Sequence, residues 1–253
     1  MYHVLTDQDV EKLASMKSIV SAIERTFAER ANGTLVSPPR FRLESKQGDL
    51  VFTAGATTAM EKVIGFRVYD TYANDLDGHQ QLVCVFDSDT GVFKGIVIGN
   101  LLGAVRTGAI GGVAIKAMAR KDAEHVAVIG TGMQARTQLE AAVAVRDIQR
   151  VRVFSRNHEN REAFAAEMAK KLDIEVVAVD SPKSCIQGAD IVICATNSGT
   201  PDEERIIQLS DVVTGKMPGR KGQDDITLFC SVGLAGTEVV VANEIMKAAV
   251  GRA

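Results

Sequence analysis

The sequence predicts a protein of the α/β class, in which a mixed, mainly antiparallel region precedes a parallel sheet. Three observations predict this. From Glu124 onward, strand-like apolar runs alternate with helix-length segments, which is the rhythm of βαβ units. Before Glu124, short β-branched runs are separated by Gly, Asp and Asn turns. The 253 residues are 46% hydrophobic and 24% charged, an ordinary globular balance that excludes disordered and fibrous classes.

The elements follow in order. Asp9 to Arg30 has helical spacing of Val10, Leu13, Ile19, Val20, Ile23 and Phe27, with Gly33 just beyond. Leu50 to Thr53, Val63 to Tyr69, Leu82 to Phe86 and Val92 to Ile98 read as strands, separated by turns such as Asn74-Asp75 and Asp89-Thr90-Gly91. Arg106 to Arg120 is small and apolar and reads as a closely packed connecting helix despite its glycines. His125 to Ile129 is a buried strand, followed by a glycine turn and a helix from about Met133 to Ala144. Val151 to Ser155, Ile174 to Val179 and Asp190 to Thr196 are further strands, with a helix from Glu159 to Lys171. That alternation argues for right-handed crossovers in a parallel sheet.

Charge and cysteine usage narrow the partners. With 29 basic against 32 acidic residues and no long single-sign block, neither a nucleic acid nor a membrane surface is expected as a partner. The apolar runs look too short to span a bilayer, and the N-terminus has no secretory pattern, so a cytoplasmic location is expected. Cys84, Cys185, Cys194 and Cys230 are far apart and read as buried, reduced thiols. The four histidines do not cluster, and no metal site is expected.

Gly130-Thr131-Gly132-Met133-Gln134-Ala135 is a GxGxxA motif that follows a strand directly and opens a helix. That is the context a Rossmann dinucleotide fingerprint requires. The first glycine permits the turn, the second lets the backbone approach a pyrophosphate, and Ala135 lets helix and strand pack closely. Free N–H groups and the helix dipole would hold the anion. The second strand ends in Ser155-Arg156-Asn157, without the acidic residue that usually bonds an NAD ribose. A guanidinium there suits a 2′-phosphate, so NADP is favoured over NAD. A short-chain dehydrogenase would need Tyr-x-x-x-Lys, and none of Tyr2, Tyr69 and Tyr72 has Lys four residues on.

The text resembles the ornithine cyclodeaminase/mu-crystallin family of NAD(P)-dependent amino- and imino-acid oxidoreductases. The resemblance rests on PPR (Pro38 to Arg40), GFRVYD (Gly65 to Asp70), FDSDTG (Phe86 to Gly91) and AVRTGA (Ala104 to Ala109). It continues through VIGTGMQA (Val128 to Ala135), DIVICATNS (Asp190 to Ser198) and GRKGQDDITLFCSVG (Gly219 to Gly233). It implies a Rossmann-type domain inserted into a discontinuous α+β domain that binds substrate and forms a homodimer. The expected division is 1–107 plus 226–253 for substrate and dimerisation, and 108–225 for the coenzyme. The implied substrate is a small α-amino or α-imino acid. The family also contains the non-enzymatic crystallin type, so a catalytically silent NAD(P)H-binding protein is the alternative.

By the same resemblance, Arg40 holds the substrate carboxylate and Arg106 lies between substrate and coenzyme. Thr107 contacts the coenzyme phosphates, Thr131, Met133 and Gln134 lie at the pyrophosphate, and Thr196 lies at the end of the fourth strand. Ser231 and Val232 form the loop that closes over nicotinamide and substrate. Two departures follow. Arg67 stands where the family usually has lysine; it can hold a carboxylate but is a poor proton donor. After Thr196 the family continues with two more strands and an acidic catalytic residue. Here Asn197-Ser198-Gly199-Thr200-Pro201 runs almost directly into IIQLSDVVTGKMPGR, so roughly 60 residues, about two βα units, are absent. Asp202, Glu203 and Glu204 fit no family motif and receive no role. Such a shortening would leave one edge of the parallel sheet bare.

Overall fold

The computed structural model describes residues 2–73, 78–196, 207–231 and 233–251. Its first elements are β1 (His3–Thr6), α1 (Asp7–Leu13), α2 (Met16–Ala31), β2 (Leu35–Val36), β3 (Phe41–Leu43), β4 (Leu50–Thr57), β5 (Val63–Asp70), β6 (Leu82–Asp87), β7 (Phe93–Ile98) and α3 (Leu101–Met118). There follow β8 (His125–Ile129), α4 (Met133–Val145), β9 (Arg150–Phe154), α5 (His158–Leu172), β10 (Glu175–Ala178), α6 (Pro182–Ile186), β11 (Ile191–Cys194), α7 (Leu209–Val213) and α8 (Thr237–Val250). The chain forms two compact units: Met1–Arg106 with Val232–Ala253, and Thr107–Ser231. It is thus a Rossmann-type parallel-sheet unit inserted into a discontinuous α+β unit.

The discontinuous unit is built on a seven-stranded sheet of order β1-β7-β6-β5-β4-β2, with β3 also pairing β4. All its pairs are antiparallel except β1 with β7. Four-residue β1 is too short to announce itself in the sequence. The expected helix from Asp9 to Arg30 is in fact two. Ala14 is extended (ψ 119), and the Ser15 hydroxyl accepts the Ser18 N–H, so a new helix starts where a single one was expected. Val10, Ile19, Ile23 and Phe27 do form the buried stripe, packed with α8. Helix α8 is apolar almost all round, and residues 237–243 are all buried, as befits a helix enclosed between the sheet and α2. On β5, Val63 and Gly65 point to that core while Ile64 and Phe66 point out and stay exposed.

The inserted unit has a four-stranded parallel sheet of order β10-β9-β8-β11. Val126, Val128, Val151, Val153, Phe164 and Met168 lead its buried core. β11 pairs only with β8 among the described residues, and its alternate residues Val192 and Cys194 are exposed. Cys194 and Cys230 therefore depart from the expectation of buried thiols, while Cys185 meets it. Helix α3 starts earlier than expected, at Leu101. By length and composition it could cross a membrane, contrary to the expectation that the apolar runs are too short, but 61% of it is buried in the protein. Its small residues have a packing reason: a Cβ on Gly108 would lie 2.5 Å from the Thr137 carbonyl oxygen on α4.

Candidate active site

In the inserted unit, the sequence-predicted coenzyme residues gather at the C-terminal edge of the parallel sheet. Gly130 leaves β8 with φ +111, its N–H bonded to the Phe154 carbonyl at the end of β9. A Cβ on Gly130 would meet the Ala195 carbonyl oxygen at 2.5 Å, so the turn after β8 lies against the chain leaving β11. These two neighbouring strands are where the order of the sheet reverses, which is where open α/β sheets bind ligands. Gly132 is different: its φ is −78, and a Cβ there would meet nothing within 4 Å. The second glycine is therefore not required by the protein's own packing and leaves room for a ligand to reach the backbone. Gly132 is also the N-cap of α4, and no side chain caps that end. The orphan N–H groups of a thirteen-residue helix thus open onto an uncrowded surface lined by Thr131, Met133 and Gln134. Arg136 fastens the loop by donating to the Thr131 carbonyl, held in turn by Glu167.

Ser155 and Arg156 follow β9 on the same edge, with Arg156 exposed. Asn157 is partly occupied, because its side-chain oxygen caps α5 by accepting the Asn160 N–H at 2.8 Å. Thr196 is exposed two residues after β11. Thr107 sits in α3, and its carbonyl accepts from the Gln138 side chain. Ser231 is exposed. Val232, the turn Asn74-Asp75, residues 197–201 and the acidic trio 202–204 lie outside the described residues. The loop and strand-end residues that are described fit a dinucleotide's diphosphate, through open backbone donors and an uncrowded second glycine.

In the discontinuous unit, the three predicted arginines come together. Arg67 on β5 and Arg106 on α3 both donate to one oxygen, Oε1 of Glu238, at 3.0 and 2.8 Å. A Cβ on Gly233 would lie 3.0 Å from Arg106 Nη1 and 4.0 Å from Arg40 Nη2, which places Arg40 beside the same cluster. Arg67 Nε donates to Gln81 Oε1 at 2.8 Å, and its guanidinium lies 4.3 Å from the centre of the Tyr69 ring. Period-two alternation brings Arg67 and Tyr69 to the α8 side of β5. Burial, and then the neighbouring charges of Arg67 and Arg40, hold Arg106 below its ordinary pKa, while Glu238 pulls the other way. It nevertheless stays protonated. Its Nε is buried without a partner among the described residues. Two guanidiniums on one carboxylate, with the exposed Arg40 beside them and a buried donor to spare, form a site for an anion. Gln81 and Glu238 do not stand out by motif or spacing in the sequence. The available signal was Glu238 itself, an acid amid the apolar text of α8.

The model of the Ornithine cyclodeaminase/mu-crystallin family matches residues 2–201 and, in a second piece, 199–252. A dehydrogenase-named relative from Rhizobium meliloti (strain 1021) is 30% identical over 208 residues, covering 78% of this chain but only 62% of the relative. A Δ1-pyrroline-2-carboxylate reductase from Bacillus cereus is 24% identical over 316 aligned positions, covering 98% of this chain and 97% of the relative. That span exceeds the 253 residues here by 63. Among solved structures, Thermococcus litoralis Δ1-pyrroline-2-carboxylate reductase in complex with NADH and L-proline is similar at a TM-score of 0.86 and 28% identity, covering 98% of both chains.

Proposed function

Because this chain belongs to the ornithine cyclodeaminase/mu-crystallin family, we propose that it is an NAD(P)-dependent oxidoreductase acting on a small α-amino or α-imino acid. The observation that carries this reading is the meeting of Arg67 and Arg106 on Glu238, with Arg40 beside Arg106. A planar guanidinium reads a planar carboxylate, and such an acid is the substrate of the Bacillus cereus relative by its name. The bound coenzyme supplies the hydride. The protein's part is to fix the acid by its carboxylate and the dinucleotide by its diphosphate. Arg67 anchors but does not donate a proton, so water or another group serves as the acid. A cyclic imino acid such as Δ1-pyrroline-2-carboxylate is the first substrate to try, since that compound names both the Bacillus and the Thermococcus relatives.

Three finer readings belong to the proposal. Arg156 after β9, with no acid beside it in Ser155-Arg156-Asn157, supports NADPH over NADH. Ile64, Phe66 and Phe41 expose an apolar face of the seven-stranded sheet, which supports a homodimer. Four free cysteines support a cytoplasmic location.

The test is Arg40→Ala. KM for the imino acid should rise about tenfold or more while NADPH affinity stays near wild type, because one charged hydrogen-bond donor is lost from the acid site alone. Equal loss of both would refute the assignment. A second reading, a catalytically silent NAD(P)H-binding protein, is favoured by Arg67 in the lysine position and by an aligned span of 316 positions that is longer than this chain's 253 residues. NADPH binding by fluorescence with no turnover across pyrroline-2-carboxylate, pyruvate plus ammonia, ornithine and alanine would establish it.

A further inference from the structure

Glu238 is given no task in acid binding above, yet it is the group on which the arginine pair turns. Its side chain is 4% exposed, so water does not compete for its oxygens. One oxygen accepts from both Arg67 Nη1 and Arg106 Nη2, and the other is 3.4 Å from the Thr237 hydroxyl. It stands in the first turn of α8, where the helix dipole favours a negative charge.

Two like charges drawn to one point repel, and buried guanidiniums repel more strongly than exposed ones. Without an anion between them they would swing apart. Glu238 meets that need permanently, so the cluster stands assembled before any ligand arrives. It takes only one donor from each guanidinium. Gln81 holds Arg67 Nε, and the Tyr69 ring restricts the plane of the fork. The donors left over therefore have fixed directions.

We propose that Glu238 is a positioning residue for acid binding: it holds Arg67 and Arg106 in the orientation that receives the carboxylate of the ligand. This rests on the reading that those two arginines hold that carboxylate. A preorganised fork binds more tightly than one that must be ordered on binding. The opposite sign is also physically available. If Glu238 served only to neutralise charge, its removal would strengthen anion binding.

The experiment measures, by calorimetry, the affinity of the full chain with saturating NADPH for pyrrole-2-carboxylate, a planar carboxylate probe. The variants are Glu238→Ala, Glu238→Gln, Arg67→Ala and Arg106→Ala, each checked for folding by circular dichroism. Glu238→Ala should weaken the probe roughly tenfold or more with NADPH affinity unchanged. Millimolar formate should recover part of the loss by occupying the vacated position, a response that a general folding defect would not give. Glu238→Gln should fall between, because a neutral acceptor bonds a guanidinium about half as strongly. Probe affinity unchanged or raised in Glu238→Ala, or formate that only competes, overturns the proposal while the arginine variants still weaken binding. Should the alanine variant not fold, wild-type affinity in Glu238→Gln overturns it. If Arg67→Ala and Arg106→Ala both bind the probe normally, the underlying reading fails first, and the proposal with it.

Discussion

Replacing Gly132 by alanine separates a structural glycine from a ligand-facing one. Its φ of −78 is open to any residue, and the added Cβ would find nothing within 4 Å. The folded state is therefore not strained. Alanine is a slightly poorer N-cap than glycine, by a few tenths of a kcal/mol or somewhat more. The stiffer unfolded chain returns about 0.4–1 kcal/mol. The two nearly cancel, so stability should move by less than about 0.5 kcal/mol, or roughly 3 °C in Tm for a unit of this size. Coenzyme binding should behave otherwise. A methyl group at the mouth of the helix holds a diphosphate off the N–H donors, and one charge-assisted hydrogen bond contributes about 1.5–3 kcal/mol. At about 1.4 kcal/mol per tenfold, NADPH affinity should drop roughly ten- to a hundredfold. Gly130→Ala is the contrast: with φ +111 and a carbonyl oxygen 2.5 Å from the new Cβ, it should lose both stability and binding. Nucleotide fluorescence titration and a thermal melt on both variants decide the matter. Wild-type NADPH affinity in Gly132→Ala would refute the placement of the diphosphate.

Two further outcomes test the fold. Glu61, with only 4% of its side chain exposed, pairs with Lys247 at 2.6 Å and Arg25 at 2.5 Å. Burial pushes its pKa up, but these two partners outweigh burial and hold it below the ordinary 4.5. Its contribution is thus present above about that pH and is lost as pH falls further. Glu61→Gln should cost about 1–3 kcal/mol at pH 7, and its deficit against wild type should shrink as pH falls below 4.5. A gap that does not narrow at all between neutral pH and acid unfolding would contradict this. Asp7 caps α3 from a distance, accepting the Asn100 and Leu101 N–H groups at 3.0 and 2.9 Å. Asp7→Ala should therefore cost about 1–2 kcal/mol in chemical denaturation, and no change would remove that role.

What was legible in the sequence follows from how local its cause is. The turn from β8 into α4 depends on residues adjacent in the chain, and β8 was expected at His125 to Ile129, where it lies. Short β-branched apolar runs set between helix-length segments make β9 to β11 readable within a residue or two at most boundaries, even though alternate residues of β11 are exposed. The break between α1 and α2 is hidden in the sequence because the apolar stripe continues across it, and only the Ser15 hydroxyl marks the restart. Arg40 and Arg67 are 27 positions apart and Glu238 lies 132 beyond Arg106, so periodicity could not join them. The resemblance joined the arginines. Glu238 needed coordinates, because a buried acid announces that it has a partner but not which one.

The central claim is that a dinucleotide rests its diphosphate on the N–H groups opening α4 while the arginine cluster grips an acid. Diffraction from crystals grown with NADPH and pyrrole-2-carboxylate tests it most directly. The account predicts diphosphate density against the backbone of residues 131–134 and a carboxylate within hydrogen-bonding distance of Arg40, Arg67 or Arg106. A diphosphate bound elsewhere, or a carboxylate that touches none of these guanidiniums, would contradict it.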